Sequence, residues 1–141
     1  MTSPDYNDWN RKIIEEFRAN EGRVGGQFEG ARMILLHHIG ARSGTERVSP
    51  LVYFLDPDDR IVIIAAKAGA PTNPDWYHNL KAHPMVDVEV GAETFPVEVT
   101  EIEGVEREEI WTRVVAEMPG FGGYEKKTTR TIPVLMLTRA A

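Results

Sequence analysis

Residues 32–66 read RMILLHHI (32–39), GARSGTER (40–47), VSPLVYFL (48–55), DPDD (56–59) and RIVIIAA (60–66). Three apolar, largely β-branched runs alternate with short links rich in glycine, aspartate and proline. Neither link could hold the crossover helix that a parallel pair requires. The stretch therefore predicts a meander of three antiparallel strands rather than a βαβ unit.

Outward from this stretch, the pattern changes period. Upstream, Trp9, Ile13 and Phe17 recur at i, i+4 and i+8, which predicts a helix over 8–19 with Asn7 as its N-cap. Gly22, Gly25 and Gly26 end it. Downstream, Asn73 as N-cap, Pro74 at the first helical position and Asp75 on the positive end of the dipole open a second helix, which Pro84 stops. Val86, Val88 and Val90 alternate with Asp87 and Glu89, and Phe95, Val97 and Val99 alternate after a turn at 91–93, so two more strands follow. Residues 105–118 predict a helix with Ile110, Trp111, Val114, Val115 and Met118 inward. Pro119 to Tyr124, with three glycines, reads as a mobile loop, and 131–138 as a last strand. The fold class is α+β, with about six mostly antiparallel strands and flanking helices. A closed or split β-barrel is the economical way to remove the edges of such a sheet. One domain over 1–141 is expected, since 141 residues at 42% hydrophobic content support one core.

Composition narrows the chemistry. There is no cysteine, which excludes disulfides and thiolate catalysis. The net charge of −6 argues against general nucleic-acid binding. No apolar run approaches the roughly 20 residues needed to span a bilayer, and the N-terminus lacks the pattern of a signal peptide. A cytoplasmic protein is expected, with the Trp9, Ile13 and Phe17 stripe either packed on the domain or resting weakly on the inner face of the membrane. His37 and His38 face opposite sides of a strand, and His78 and His83 have no metal-site spacing, so no metal is expected.

Two segments offer a ligand something. Arg42 and Arg47 flank a turn in which Gly40 and Gly44 let backbone N–H groups approach an anion. The turn is an anion clasp or a solvated hairpin. It is no P-loop, because strand follows strand. The second segment is Ala65 to Gly69 followed by the helix of Trp76 and Asn79. Lys67 stands at a strand end between small residues, and Trp76 is either a pocket wall or core. Together the segments would suit a ligand that is anionic at one end and flat at the other. Tyr124 is the phenol of the glycine-rich stretch and a candidate proton donor.

In these segments Gly40-x-Arg42-Ser43-Gly44-x-x-Arg47-x-x-Pro50-Leu51, Lys67-Ala68-Gly69-Ala70, Asn73-Pro74-x-Trp76-Tyr77-x-Asn79-Leu80 and Arg130-Thr131-Ile132-Pro133 occur together and in order. Jointly they resemble the deazaflavin-dependent nitroreductase family, over about 22–138. The resemblance implies an FMN-binding-like split β-barrel and an enzyme that passes hydride from the reduced 8-hydroxy-5-deazaflavin coenzyme F-420 to an electron-poor small molecule. That acceptor would be a quinone, an activated enone or a nitro compound. It further implies that Arg42, Ser43, Gly44 and Arg47 grip the phosphate and acidic tail. Ser49, Pro50, Ala65, Ala66, Lys67, Ala68, Gly69, Trp76 and Asn79 would surround the ring, with Tyr124 catalytic. Across 121–127, where the family's nitroimidazole reductase carries several tyrosines, this chain keeps one phenol, which points to quinones or enones. Where the family often has small hydroxyl residues before Gly40, this chain has His37, His38 and Ile39. The alternatives are a carrier of flavin, haem or lipid on the same barrel, or an FMN-dependent reductase.

Overall fold

The structure, a computed structural model, describes residues 4–140. Its elements in chain order are α1 (Pro4–Ala19), β1 (Met33–Ile39), β2 (Glu46–Val52), β3 (Phe54–Leu55), β4 (Ile61–Ile64), α2 (Asp75–Ala82), β5 (Met85–Val90), β6 (Glu93–Ile102), α3 (Gly104–Glu117), α4 (Gly120–Lys127) and β7 (Val134–Arg139). The seven strands form one sheet in the order β2-β1-β5-β6-β7-β4-β3, and every pairing is antiparallel.

The two edge strands are consecutive in the chain. β2 ends at Val52, β3 starts at Phe54, and Tyr53 alone joins them. One extended run thus serves both edges, and the sheet must curl for it to do so. The Tyr53 N–H donates to the Arg32 carbonyl at 2.9 Å, just where the run leaves the β1 side. This is the split barrel expected of the chain, with seven strands rather than six. The meander is the part that differs. The run 48–55 divides at Tyr53, and β4 pairs with β3 and β7, never with β2. Hydrophobic alternation fixes which face a residue takes, but it does not choose the neighbouring strand.

Curling gives β1 two apolar faces. Ile34 and Leu36 enter the barrel interior with Ile63, Leu80, Val88, Val97 and Leu135. Met33 and Leu35 point outward and are covered by Ile13 and Phe17 of α1. The N-terminal helix therefore docks on the barrel through two of its three stripe residues. Trp9 stays 46% exposed at the rim, its ring 5.9 Å from Phe28. Helix α1 begins at Pro4, so Asn7 lies inside it rather than at its cap. None of the described helices is long and apolar enough to cross a membrane.

The other end of the barrel is closed by α3, which buries Ile110, Trp111 and Val114 against Phe54, Val62, Val134 and Met136. The stretch expected to be a mobile loop is helical instead, as α4. Three glycines carry low helix propensity, but Phe121 stacks edge-on to Phe54 at 5.5 Å and to Tyr124 at 5.4 Å. That tertiary contact offsets the propensity. A Cβ at Gly122 would lie 3.2 Å from Val115, so the missing side chain also lets α4 sit close to α3.

Candidate active site

The link between β1 and β2 is closed from within. The Gly40 N–H donates to the Thr45 carbonyl and the Gly44 N–H to the Gly40 carbonyl, both at 2.9 Å, while the Thr45 N–H donates to Ser43 Oγ at 3.2 Å. Gly44 has φ +71°, so the turn favours glycine there, and a Cβ on Gly40 would meet Ser43 Oγ at 2.4 Å and push the hydroxyl off the Thr45 N–H. Among the described residues, no group accepts from the Arg42 or Ser43 N–H. The guanidinium groups of Arg42 and Arg47 are exposed and have no carboxylate partner there, whereas Arg18, Arg32 and Arg60 are spent on Glu89, Glu117 and Asp56.

Asn79 ties this turn to α2. Its Oδ1 accepts the Ala41 N–H at 2.9 Å, and its Nδ2 stands 2.9 Å from His38 Nδ1. The other imidazole nitrogen, Nε2, lies 2.9 Å from Ser49 Oγ on β2. His38 is only 3% exposed. Burial foremost, and then the nearby charge of Arg47, push it down to about 4 against the opposing pull of Asp75, so it is neutral at pH 7. Ser49, Asn79 and Arg47 are thereby gathered around one buried histidine. Trp76, one turn before Asn79, is half-buried against the barrel interior.

His37 points the other way and joins a different network. Its Nε2 is 2.6 Å from Glu89 and its Nδ1 3.2 Å from Glu46. Glu89 also accepts from Arg18 Nε at 3.1 Å and Nη2 at 2.7 Å, which locks α1 onto β5. Hydrogen bonding from Arg18 foremost holds the Glu89 carboxyl below its usual range.

The second wall is the segment 65–73. Lys67, Ala68 and Gly69 have φ of +47°, +53° and +81°, so the chain runs left-handed there for three residues in a row. Two of them carry a Cβ, and such a conformation persists only where its surroundings impose it. Arg130 supplies that constraint. Its guanidinium donates to the carbonyls of Ala65 (3.2 Å), Ala66 (2.8 Å) and Ala70 (3.0 Å) and to Asn73 Oδ1 (2.6 Å). Asn73 is therefore not the helix cap; α2 begins at Asp75, capped by Pro74 without a side-chain bond. Ala65 and Ala66 are buried, with their carbonyls committed to Arg130, so they position the segment, while Lys67 and Ala68 supply its surface. Among the described residues Lys67 Nζ has one hydrogen-bond partner, Thr72 Oγ1, at 3.3 Å.

Gly69 has a packing reason as well as a backbone one. A Cβ there would lie 2.9 Å from the Tyr124 carbonyl and from Lys127 Cβ, so α4 rests directly on this glycine. Tyr124 is thus next to the segment. Its ring packs on Phe121, and the Lys127 ammonium lies 5.9 Å from its centre.

Sequence reasoning placed Arg130 only within a motif and gave it no role. The useful signal was a lone arginine just before a buried Ile-Pro-Val run. Reasoning also left His38 as a general pocket neighbour. Its position on the inward face of β1 was legible from the alternation with Ile34 and Leu36. A cavity of about 780 Å³ lies elsewhere, between β6 and α3, and is bordered by Glu101, Glu103, Glu108 and Glu109. That acidic rim is ill suited to an anion.

A curled antiparallel sheet whose two edges are one continuous run puts the protein among the split β-barrels. Within that class the chain belongs to the F420H(2)-dependent quinone reductase family, whose sequence profile matches residues 9–139. It is 37% identical over 128 residues to an F420H(2)-dependent quinone reductase of Mycobacterium tuberculosis, covering 87% of this chain and 85% of that one. It is similar to the solved structure of an F420-H2 dependent reductase, FDR-A, with a TM-score of 0.67 and 36% identity over 75% of this chain and 93% of that one. A chain described as a domain-swapped dimer matches with a TM-score of 0.69 and 34% identity over 94% and 98%. The protein is accordingly an oxidoreductase whose cofactor is coenzyme F-420, and the carrier and FMN readings are not favoured. The residues present fit that coenzyme. Among the described residues Arg42, Arg47 and Lys67 have no carboxylate partner, and Ala68 adds only a methyl group to the exposed surface beside Lys67. Among the described residues no cluster of three or more His, Asp or Glu side chains could hold a metal ion.

Proposed function

We propose that the protein reduces a quinone, with an activated enone as the nearest alternative acceptor, and that its binding site lies between the 40–47 turn and the 65–73 segment. The observation that carries this is the Asn79 bridge, which holds the two-arginine turn against α2 beside Ser49. When bound, the reduced coenzyme supplies the hydride. The chain's residues do the rest. Arg42 and Arg47, with the Arg42 and Ser43 N–H groups, hold the phosphate and acidic tail. Gly44 permits the turn that presents them. Ser49, the Pro50 backbone, Trp76 and Asn79 form one side of the ring's slot, and Lys67 and Ala68, held by Ala65, Ala66 and Arg130 and followed by Gly69 under α4, form the other.

Reducing a quinone to a hydroquinone takes one hydride and one proton, and the hydride leaves an oxyanion on the acceptor. Tyr124 sits on α4 above Gly69, where its phenol can give that proton from the acceptor side. The acceptor is a small molecule, and α1, docked on the barrel through Ile13 and Phe17, keeps Trp9 at the surface as a contact for the membrane in which lipid quinones reside. Fluorescence titration with coenzyme F-420 and with FMN tests the reading. Selective binding of the deazaflavin is expected. Micromolar FMN binding without detectable deazaflavin binding would overturn it.

A further inference from the structure

The hydrogen bonds around His38 run in a single direction. The Ala41 N–H can only donate, so the Asn79 atom it meets at 2.9 Å is the side-chain oxygen. The Asn79 amide nitrogen then faces His38 Nδ1 at 2.9 Å, and an amide nitrogen also only donates. His38 Nδ1 must therefore be the unprotonated, accepting nitrogen. A neutral imidazole with a bare Nδ1 carries its proton on Nε2, which donates to Ser49 Oγ at 2.9 Å. Ser49 Oγ accepts, so its own hydrogen points away from His38. No described residue accepts it.

We propose that His38 is a positioning residue: locked by Asn79 in the Nε2–H tautomer, it commits the Ser49 hydroxyl to donate a hydrogen bond to an acceptor atom on the coenzyme's flat head. The proposal rests on the coenzyme site described above. Side chains alternate along β2, so Ser49 shares a face with Arg47 and Leu51. Leu51 packs into the barrel interior, and Arg47 is the cation of the turn. Ser49 is half-buried between the two, at the junction where an anionic tail would give way to an apolar ring. The ligand group it fits is a carbonyl oxygen or a bare ring nitrogen at the polar edge of that ring. A hydroxyl without the histidine could turn either way. With it, the hydroxyl is preorganised as a donor, and each bond in the series polarises the next. The depressed basicity of His38 agrees with this, since a protonated ring could not accept from Asn79. The same bridge fixes Ala41, so the arginine turn and the hydroxyl are set by one buried side chain.

The test is a double-mutant cycle read as coenzyme dissociation constants, beginning with the unaltered protein. Ser49→Ala and His38→Leu should each weaken binding of coenzyme F-420 about fivefold to tenfold, the worth of one hydrogen bond to the ligand. The double variant should be no worse than the weaker-binding single one, because one removes the hydroxyl and the other only its orientation. His38→Gln should bind within about twofold of the unaltered protein, since glutamine can accept from Asn79 and donate to Ser49. Losses that multiply, or a His38→Leu variant whose melting temperature falls while its affinity does not, would overturn the proposal and leave the coenzyme site standing. If the unaltered protein does not bind the coenzyme, the site reading fails first and takes the proposal with it. Nitrogen-15 NMR of the unaltered protein at pH 7 checks the tautomer without any substitution. A proton on Nε2 is expected, and a proton on Nδ1 would refute the mechanism.

Discussion

Removing Arg130 separates folding of the barrel from formation of its site. The guanidinium makes four hydrogen bonds, three to carbonyls and one to Asn73, and all fall within residues 65–73. At roughly 1 kcal/mol net apiece, their sum is about 4 kcal/mol. Not all of it would appear as lost stability. Lys67 and Ala68 are exposed, so the segment can open and rehydrate its carbonyls while the barrel stays closed. A global loss of about 2–3 kcal/mol is therefore expected for Arg130→Ala, which lowers Tm by about 5–10 °C in a domain of this size. The larger effect should be local. Without the clamp the left-handed run at 67–69 keeps only the packing of α4 on Gly69, and the Gly69 and Ala70 N–H groups, now bonded to the Ala66 and Lys67 carbonyls, should exchange with solvent far faster. Coenzyme affinity should fall by about tenfold or more, because ordering the segment would have to be done on binding. Arg130→Lys keeps the charge but not the fork, and should fall between. Hydrogen exchange with mass spectrometry, a thermal melt and a coenzyme titration on the same samples decide it. Unchanged protection at Gly69 and Ala70 together with unchanged affinity would refute the assignment of Arg130 as the clamp.

Arg42→Ala and Arg47→Ala should each weaken coenzyme binding about tenfold, with the affinity of the unaltered protein dropping as salt rises; a double variant with full affinity would make the turn a plain hairpin. Tyr124→Phe should lower kcat for a soluble quinone by about 10²-fold, the low end for general acid catalysis because water can substitute, and leave coenzyme affinity alone. Turnover at the unaltered rate would remove the phenol from the reaction. His38, held near 4 when folded against 6.5 when free, makes stability pH-dependent. The unfolded chain takes up its proton first, so stability is complete above about pH 6.5 and is lost on acidification towards 4, by about 2–3 kcal/mol at pH 4.5. The charged and titratable neighbours Arg47, Asp75 and His37 are common to both proteins compared. Urea melts at pH 7.5 and 4.5 should therefore show a smaller loss for His38→Gln, and equal losses would contradict the buried, neutral histidine.

Much of the barrel was legible in the sequence, because burial imposes alternation. Ile34 and Leu36 inside with Leu35 outside, or Val86 and Val88 against Asp87 and Glu89, can be read without coordinates. What could not be read was which strand each would join. Tyr53 looks like any residue of a long strand, and its role as the point where one run passes between the two edges depends on curvature that local pattern does not encode. Helix α4 was hidden for a related reason. Its glycines signal a loop, and only the Phe121–Phe54 contact, made across a gap of 67 positions, overrides them. At the candidate site, the small-residue and arginine segments were visible as composition. The Asn79–His38–Ser49 series and the Arg130 clamp were not, since their members stand on five different strands, helices and links and meet only after the barrel has closed.

On this protein, hydride passes from reduced coenzyme F-420 to a quinone. The most direct measurement is an anaerobic assay in which a soluble quinone is added to the purified protein with either reduced F-420 or reduced FMN, following the return of the oxidised coenzyme's absorbance. Protein-dependent oxidation of the reduced deazaflavin is expected, one coenzyme per quinone consumed, with little or no acceleration of the flavin reaction. Acceleration with reduced FMN alone, or none with either coenzyme, would contradict the account.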